Sequence, residues 1–540
     1  MASSVESKKL RILLMPFFAN SHMGPFTNLA VHLAAARPDV VEATVAVTTA
    51  NAPFVRSIIA RQSPSHAKVE VATYPFPSVD GLPAGVENLT VVEPADAWRI
   101  GAAAVDEAVM RPAQESLIRE LSPDAVITDF HFFWNIDIAD DVGAQCLVFN
   151  VIGAFPSIAI AHLNKSRAAA SASDDETRDT TDRSGRVVAV PLLDGKDMLI
   201  PHTELPEFMR VKEAISEASV MGRIESSAGR CAGRSMNTFR DLEHGYCDLF
   251  TNSVETKPSY FVGPVALPPA AAAVNNGGAG RSPCIDWLDT KPSRSVVFVC
   301  FGSLAPVSHA QLDELAHGLE ASGKPFLWVV RNDTWAPPEG WTERVGERGM
   351  LVKGWAPQTE ILGHEAVGVF VTHCGWNSVM ETVTAGVPAL TWPMVFEQFI
   401  IERLLTEVLG IGERLFPEGA GVRSTIHEEH DLVTAKAVAQ SIVKFMEPGG
   451  GGDAARARVK EISARARAAM AEGGSSQRDL QRLIDDLIEA TTEQYHPCAP
   501  GAQLLSEQLF EFLCHCLFRS AFLLASSRLA GGKEKQESAL

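Results

Sequence analysis

Residues 367–392 read VGVFVTHCGWNSVMETVTAGVPALTW. VGVFVT is a continuous apolar run, the mark of a strand buried on both faces, and VPALTW looks like a second. Between them the chain turns and enters a helix near Ser378, so the stretch is a strand–helix–strand unit. Such units place their strands parallel in one sheet. A plain turn of this kind needs one glycine and one capping residue. This one carries His373, Gly375, Trp376, Asn377, Ser378 and, a helical turn further on, Glu381. Gly375 permits either close backbone approach or a positive φ. The helix N-terminus offers free N–H groups and a partial positive charge, a seat for phosphate. Asn377 and Ser378 add side-chain donors, and His373 can donate a hydrogen bond or a charge. The bland alternative is that Asn377 or Ser378 caps the helix, with Ser378 and Glu381 spaced as a capping box and Trp376 in the core.

The same alternation extends in both directions. SVVFVCF (295–301) predicts a buried strand. A helix follows in SHAQLDELAHGLEASG, with Ser308 and Gln311 at capping-box spacing and Leu312, Leu315, Ala316 and Leu319 on one face. PFLWVVR and MLVKGW continue that series. Nearer the N-terminus, LRILLMPFF, EATVAVTT, VEVATYPF, DAVITDF and QCLVFNV predict strands. GPFTNLAVHLAAAR, APFVRSIIARQ and residues 135–142 predict helices between them. Two doubly wound α/β domains result, 1–262 and 284–475, joined by a Pro/Ala/Gly-rich linker at 263–283. Residues 164–186, small, polar and charged, read as a disordered insertion. Residues 495–540 form an atypical tail, whose apolar stretch is interrupted by Glu507, Glu511, His515 and Arg519 and so does not read as a membrane span.

A chain of 540 residues suits two domains. A formal net charge of -19 argues against nucleic-acid or anionic-membrane partners, which require an excess of Lys and Arg. Nine cysteines are scattered without a CxxC pair, mostly inside apolar runs, as in a reducing compartment; a cytoplasmic protein is expected. MASSVESKKLRILLMPFFANSH reads as an approach to the first strand rather than a signal peptide, since no A-x-A-like site closes it. No run of 18 apolar residues occurs, so stable membrane insertion is not expected. No metal is expected either: Cys514 and Cys516 stand alone, and no DxD motif ends a strand.

The flanks of the opening stretch decide its chemistry. WAPQTEILGHEAVG (355–368) precedes it and WPMVFEQ (392–398) closes it. Over the 44 residues from Trp355 to Gln398 the sequence resembles the plant secondary-product glycosyltransferase box, the signature of plant UDP-sugar-dependent glycosyltransferases. WAPQ, THCGWNS, GVP, WP and EQ all stand in place. The resemblance runs from about residue 10 to about 490, through VVFVCFGSLAP and SSQRDLQRLIDDLIEA. It implies a GT-B fold, with acceptor bound by the first domain and donor by the second, and a helix at 476–494 packing back toward the first. It also implies roles. Trp355 would stack on uracil, with Ala356 and Gln358 at base or ribose, and Glu381 would accept from the ribose hydroxyls. His373, Asn377, Ser378 and Ser303 would hold the diphosphate, with Trp376 against the sugar side. Glu397 and Gln398 would bond the sugar hydroxyls, Gln398 favouring glucose. UDP-glucose would be a co-substrate, and no cofactor is implied. A monomer is expected.

Transfer to a hydroxyl needs a base, and histidine is poised for that near neutral pH. His22, in ANSHMGPF, matches the family's GH-x-x-P loop, with Ser21 in place of Gly and Pro25 kept. Asp129 ends the strand DAVITDF, where the family places the carboxylate that orients the histidine. The resemblance implies an in-line, inverting displacement giving a β-glucoside. One position departs: where relatives carry Thr or Ser toward the sugar 6-hydroxyl, FNVIGAF (149–155) offers Val151 or Ile152. GLPAGVENLT (81–90) resembles a loop of relatives acting on flavonoids, terpenoids and other hydroxylated small molecules. A nicotinamide dehydrogenase would need G-x-G-x-x-G after the first strand, which is missing. Sugar-nucleotide epimerisation would want further acid/base carboxylates. A non-catalytic sugar-nucleotide-binding protein is the alternative from another class.

Overall fold

The computed structural model describes residues 9–495, apart from 63–66, 94–95, 172–186, 211–222, 224–228, 255–256, 270–280, 305–306, 333, 417–421 and 425–428. Fifteen strands are present among the described residues. They are β1 (Leu10–Met15), β2 (Val41–Thr48), β3 (Val69–Tyr74), β4 (Ala125–Thr128), β5 (Gln145–Asn150), β6 (Val187–Pro191), β7 (Asp197–Pro201) and β8 (Gly233–Met236). Then come β9 (Ser259–Phe261), β10 (Val296–Cys300), β11 (Phe326–Val330), β12 (Gly349–Lys353), β13 (Val367–Thr372), β14 (Ala389–Thr391) and β15 (Gly412–Arg414).

Seven strands form a parallel sheet in the order β3-β2-β1-β4-β5-β8-β9, and six form another in the order β12-β11-β10-β13-β14-β15. The apolar runs are the reason. Every residue of β4, β10, β11 and β13 is buried, which a strand covered by helices on both faces requires. These are two Rossmann-like domains of GT-B architecture, and β6 and β7 add a separate antiparallel hairpin. In each sheet the strand order reverses once, between β1 and β4 and between β10 and β13. Loops leaving the carboxyl ends of such a pair diverge and open a crevice.

Both domains belong to one compact unit ending at Asp485. An apolar cluster crosses this unit, joining Phe155, Met236 and Phe261 of one domain to Trp376, Val379 and Ile400 of the other. The helix Ser475–Tyr495 turns Ser476 and Asp479 toward the first sheet. Ser476 Oγ donates to Gly263 O (2.6 Å), and Asp479 accepts from Phe261 N (2.9 Å).

Local departures have local causes. The helix after β1 starts at Asn20, earlier than Gly24, and carries Pro25 inside it. Residues 164–171 are not a disordered insertion: the helix Ala154–Ser171 runs through them, because its alanines extend a helix already nucleated upstream. The rest of that stretch, 172–186, lies outside the described residues, as do linker residues 270–280 and tail residues 496–540. Ser308 caps the helix His309–Ser322, accepting from Gln311 N (3.2 Å), but the reciprocal half of the box is absent. The Gln311 amide instead bonds both polar groups of the Val433 backbone.

Candidate active site

At the crevice between β10 and β13, His373 is clamped by two glycines. A Cβ on Gly302 would lie 2.6 Å from the His373 ring, and one on Gly375 would lie 2.4 Å from its Nε2. Gly375 therefore serves close approach; its φ is an ordinary -62°. The left-handed residue is its neighbour Cys374, at φ 65°, a strained non-glycine held by complete burial. Burial, and then the nearby Arg331, push the His373 imidazole down to about 4. Near neutral pH it offers a hydrogen bond and not a charge. Its Nδ1 is buried without a hydrogen-bond partner. Ser303 stands half-buried in the turn after Gly302.

The helix Trp376–Ala385 begins two residues before the expected Ser378, with Gly375 at its N-cap and no side chain capping it. The capping box does not form. Ser378 Oγ instead accepts from Gln358 Nε2 (3.0 Å). Glu381 accepts from Gln358 Nε2 (2.5 Å) and from Thr359 Oγ1 (3.2 Å). Burial raises the Glu381 carboxyl, against the pull of those two donors. Gly354, at φ 88°, turns the chain out of β12. Trp355 is then 64% exposed and Ala356 buried beneath it. An exposed indole, an amide and a carboxylate thus share one edge beside an uncapped helix N-terminus.

Three of the expected donor residues are engaged by the protein itself. The Trp376 indole does not stand against a sugar site as a free face: it is 4% exposed and crosses into the first domain. There its Nε1 donates to Asn237 O (2.7 Å). A Cβ on Gly153 would come 2.3 Å from the ring, so glycine makes the room. A buried indole N–H needs an acceptor, and the carbonyl across the seam supplies it. Asn377 Nδ2 donates to Ser21 O (2.7 Å), immediately before His22. That carbonyl is free because its intrahelical partner would be the N–H of Pro25, which does not exist. Gln398 is also turned inward. Its Oε1 accepts from Met394 N (3.0 Å) and Val395 N (3.1 Å), leaving only the amide N–H groups. Burial raises the Glu397 carboxyl, against the pull of His22 across the crevice. Phe396 beside it is left-handed, at φ 56°.

At the crevice between β1 and β4 a carboxylate lies between two imidazoles. Asp129 is fully buried just past β4, and His22 lies in the first turn of the helix Asn20–Ala36. His22 Nδ1 and Asp129 Oδ2 are 2.7 Å apart. On the other oxygen, His131 Nδ1 and Asp129 Oδ1 are 2.6 Å apart. Burial alone would raise the Asp129 carboxyl, but the two histidines outweigh it and hold the group well below the usual carboxylate range. An ionised carboxylate is acceptor-only, so each ring presents an Nδ1–H to it, and in the neutral form of either ring Nε2 carries the lone pair. Burial lowers the His131 imidazole, with Asp129 opposing.

His131 was not legible from the sequence. It sits in the aromatic run FHFFW, whose Phe132, Phe133 and Trp134 are indeed core. Its one signal is a histidine two residues beyond an aspartate at a strand end. The 81–90 loop is pinned beside this site by Asn88, whose Nδ2 donates to Asn20 Oδ1 and Asn51 Oδ1, each at 2.9 Å. Val151 is buried and Ile152 half-buried.

Residues 234–410 match the family model described as UDP-glucoronosyl and UDP-glucosyl transferase. The chain is 36% identical to UDP-glycosyltransferase 73E1 of Stevia rebaudiana, over 89% of this chain and 97% of that protein. It is 34% identical to scopoletin glucosyltransferase of Nicotiana tabacum, covering 89% and 98%. Among solved structures it resembles Glycyrrhiza uralensis UGT73P12 complexed with glycyrrhetinic acid 3-O-monoglucuronide. That match has a TM-score of 0.76 at 28% identity, covering 94% and 99%.

Proposed function

Because this chain belongs to the plant UDP-glycosyltransferase family and is a glycosyltransferase, we infer that it moves glucose from UDP-glucose to a hydroxyl of a small hydrophobic acceptor, giving a β-O-glucoside. Acceptor binds in the domain at 1–262, donor in the domain at 284–475. The observation that carries this is the 2.7 Å contact of His22 with Asp129. It fixes the tautomer that leaves Nε2 of His22 free to take the acceptor proton, while the buried carboxylate stabilises the imidazolium that forms. The acceptor oxygen attacks the anomeric carbon opposite UDP, and inversion follows.

Trp355 stacks on uracil, Ala356 and Gln358 meet base or ribose, and Glu381 takes the ribose hydroxyls. The uncapped first turn at Trp376–Ser378, Ser303 and the unsatisfied His373 receive the diphosphate, worth most where water is excluded. Asn377 reaches the diphosphate by exchanging its bond to Ser21. Glu397 and the amide nitrogen of Gln398 bind the sugar hydroxyls. No metal is required. His22, Asp129 and His131 place their polar atoms within 4.8 Å of one another, and two hydrogen bonds account for that compactness. We place the reaction in the cytoplasm and in a monomer. Cys146, Cys231, Cys247, Cys284, Cys300 and Cys374 are buried free thiols, and no helix among the described residues is long and apolar enough to cross a membrane.

The test is UDP release from UDP-glucose, with UDP-galactose and UDP-glucuronate in parallel, against phenolic and terpenoid alcohols. Wild type, His22→Ala and a chelator-treated sample are run together. Glucose-dependent release that survives the chelator and is lost in His22→Ala is expected. Since Val151 and Ile152 offer no hydroxyl, the donor series also tests glucose preference. Binding of UDP-glucose without turnover of any acceptor would favour the non-catalytic reading instead.

A further inference from the structure

We propose that His131 is a positioning residue for acceptor activation: its Nδ1–H holds the far oxygen of Asp129, fixing the carboxylate plane and drawing off part of its charge. The proposal rests on His22 being the base. A carboxylate bound on one oxygen can swing about its Cβ–Cγ bond; bound on both, by 2.7 and 2.6 Å contacts on opposite sides, it cannot. The backbone donors on the same oxygens, Phe17 N at 3.4 Å and His131 N at 3.3 Å, are longer and weaker. A second donor also draws electron density from the carboxylate and so weakens it as an acceptor for His22.

Packing alone does not call for a histidine here. The His131 ring is stacked between Phe17 (4.1 Å, 18°) and Phe130 (4.0 Å, 30°), a slot that phenylalanine would fill equally. What histidine adds is the N–H. Other ionisable groups felt by this set are Glu397, acting on His22 from the second domain, and Tyr74 at the end of β3, acting with Asp129. Substitution at 131 leaves both in place.

Two substitutions separate donor from ring. His131→Phe keeps the stacked ring and removes the donor; His131→Asn loses the ring but places an amide nitrogen near the former Nδ1. The measurement is kcat/KM for acceptor against pH at saturating UDP-glucose. In His131→Phe the carboxylate is left undivided to His22 and favours its cationic form. The acid-side inflection should therefore move upward by about half a pH unit or more, and kcat should fall about 3- to 10-fold, with KM for UDP-glucose nearly constant. His131→Asn should hold the inflection near its wild-type position. An unmoved inflection in His131→Phe, or an equal shift in both variants, overturns the proposal. Independently of variant folding, ¹⁵N spectra of the wild-type protein should show His131 protonated at Nδ1, and the opposite tautomer overturns it. If His22→Ala retains full activity, the base assignment fails and this proposal with it. If His22→Ala is inactive and His131→Phe is unshifted, only this proposal fails.

Discussion

The crevices at the carboxyl ends of β1/β4 and β10/β13 arise from one topological rule and are furnished in opposite ways. The second is built mostly of backbone: two glycines closing on His373, a strained Cys374 and an uncapped helix. The first is built of titratable side chains, a buried carboxylate between two imidazoles. In the proposed reaction a diphosphate arrives at the second crevice with its charge already present and needs fixed dipoles. An acceptor hydroxyl must lose a proton, and that needs groups whose protonation can change. The same fold, used twice, gives a static site and a protonic one.

The largest effect should come from breaking the protonic side. His22→Ala should lower kcat/KM by about 10³-fold or more while UDP binding, followed by calorimetry, stays within a few-fold of wild type. Breaking the static side should do the reverse. Gly302→Ala places a side chain at φ 70° against the His373 ring, and should weaken UDP binding by about 10- to 100-fold at a stability cost of about 1–3 kcal/mol.

Acid should act on the lowered histidines of both sites before it reaches Asp129. His373 has a folded value of about 4, below its ordinary 6.5, so between those values the unfolded chain binds more protons. Its contribution is complete above about pH 6.5 and is lost as pH falls toward 4. His32, buried and likewise lowered to about 4, loses stability over the same window. Asp129 is lowered from a carboxylate's ordinary value, so its contribution persists through that window and is lost only at lower pH, as the carboxylate protonates. Thermal melts from pH 7 to 4 should show the first loss, partly flattened in His373→Gln. The smallest effect belongs to the seam between the sites. Trp376→Phe removes the indole donor to Asn237 and should cost about 1 kcal/mol in the melt.

This contrast also governs how much the sequence reveals. Strand order and the β13 turn are legible because their causes are local: continuous apolar runs, and glycines that tolerate no side chain. Apart from Ser303, the proposed donor-side residues fall within 44 consecutive positions, so motif and site nearly coincide. The His22–Asp129 contact spans 107 residues, and only a strand-end position for each hinted at it. His131 was masked by the aromatics around it. The direction of a side chain is legible least of all. Nothing local tells that Trp376 and Asn377 reach across to Asn237 and Ser21, since that depends on a gap at Gly153 and an unpaired carbonyl in another domain.

Pro25 acts there through what it lacks. By withholding one hydrogen from its own helix it leaves the Ser21 carbonyl to be claimed by Asn377, so an absence in one domain becomes a tether to the other. Any other residue at position 25 would bring an N–H that competes for that carbonyl. The helix would be more regular, and the two halves of the molecule would have less reason to stay in step.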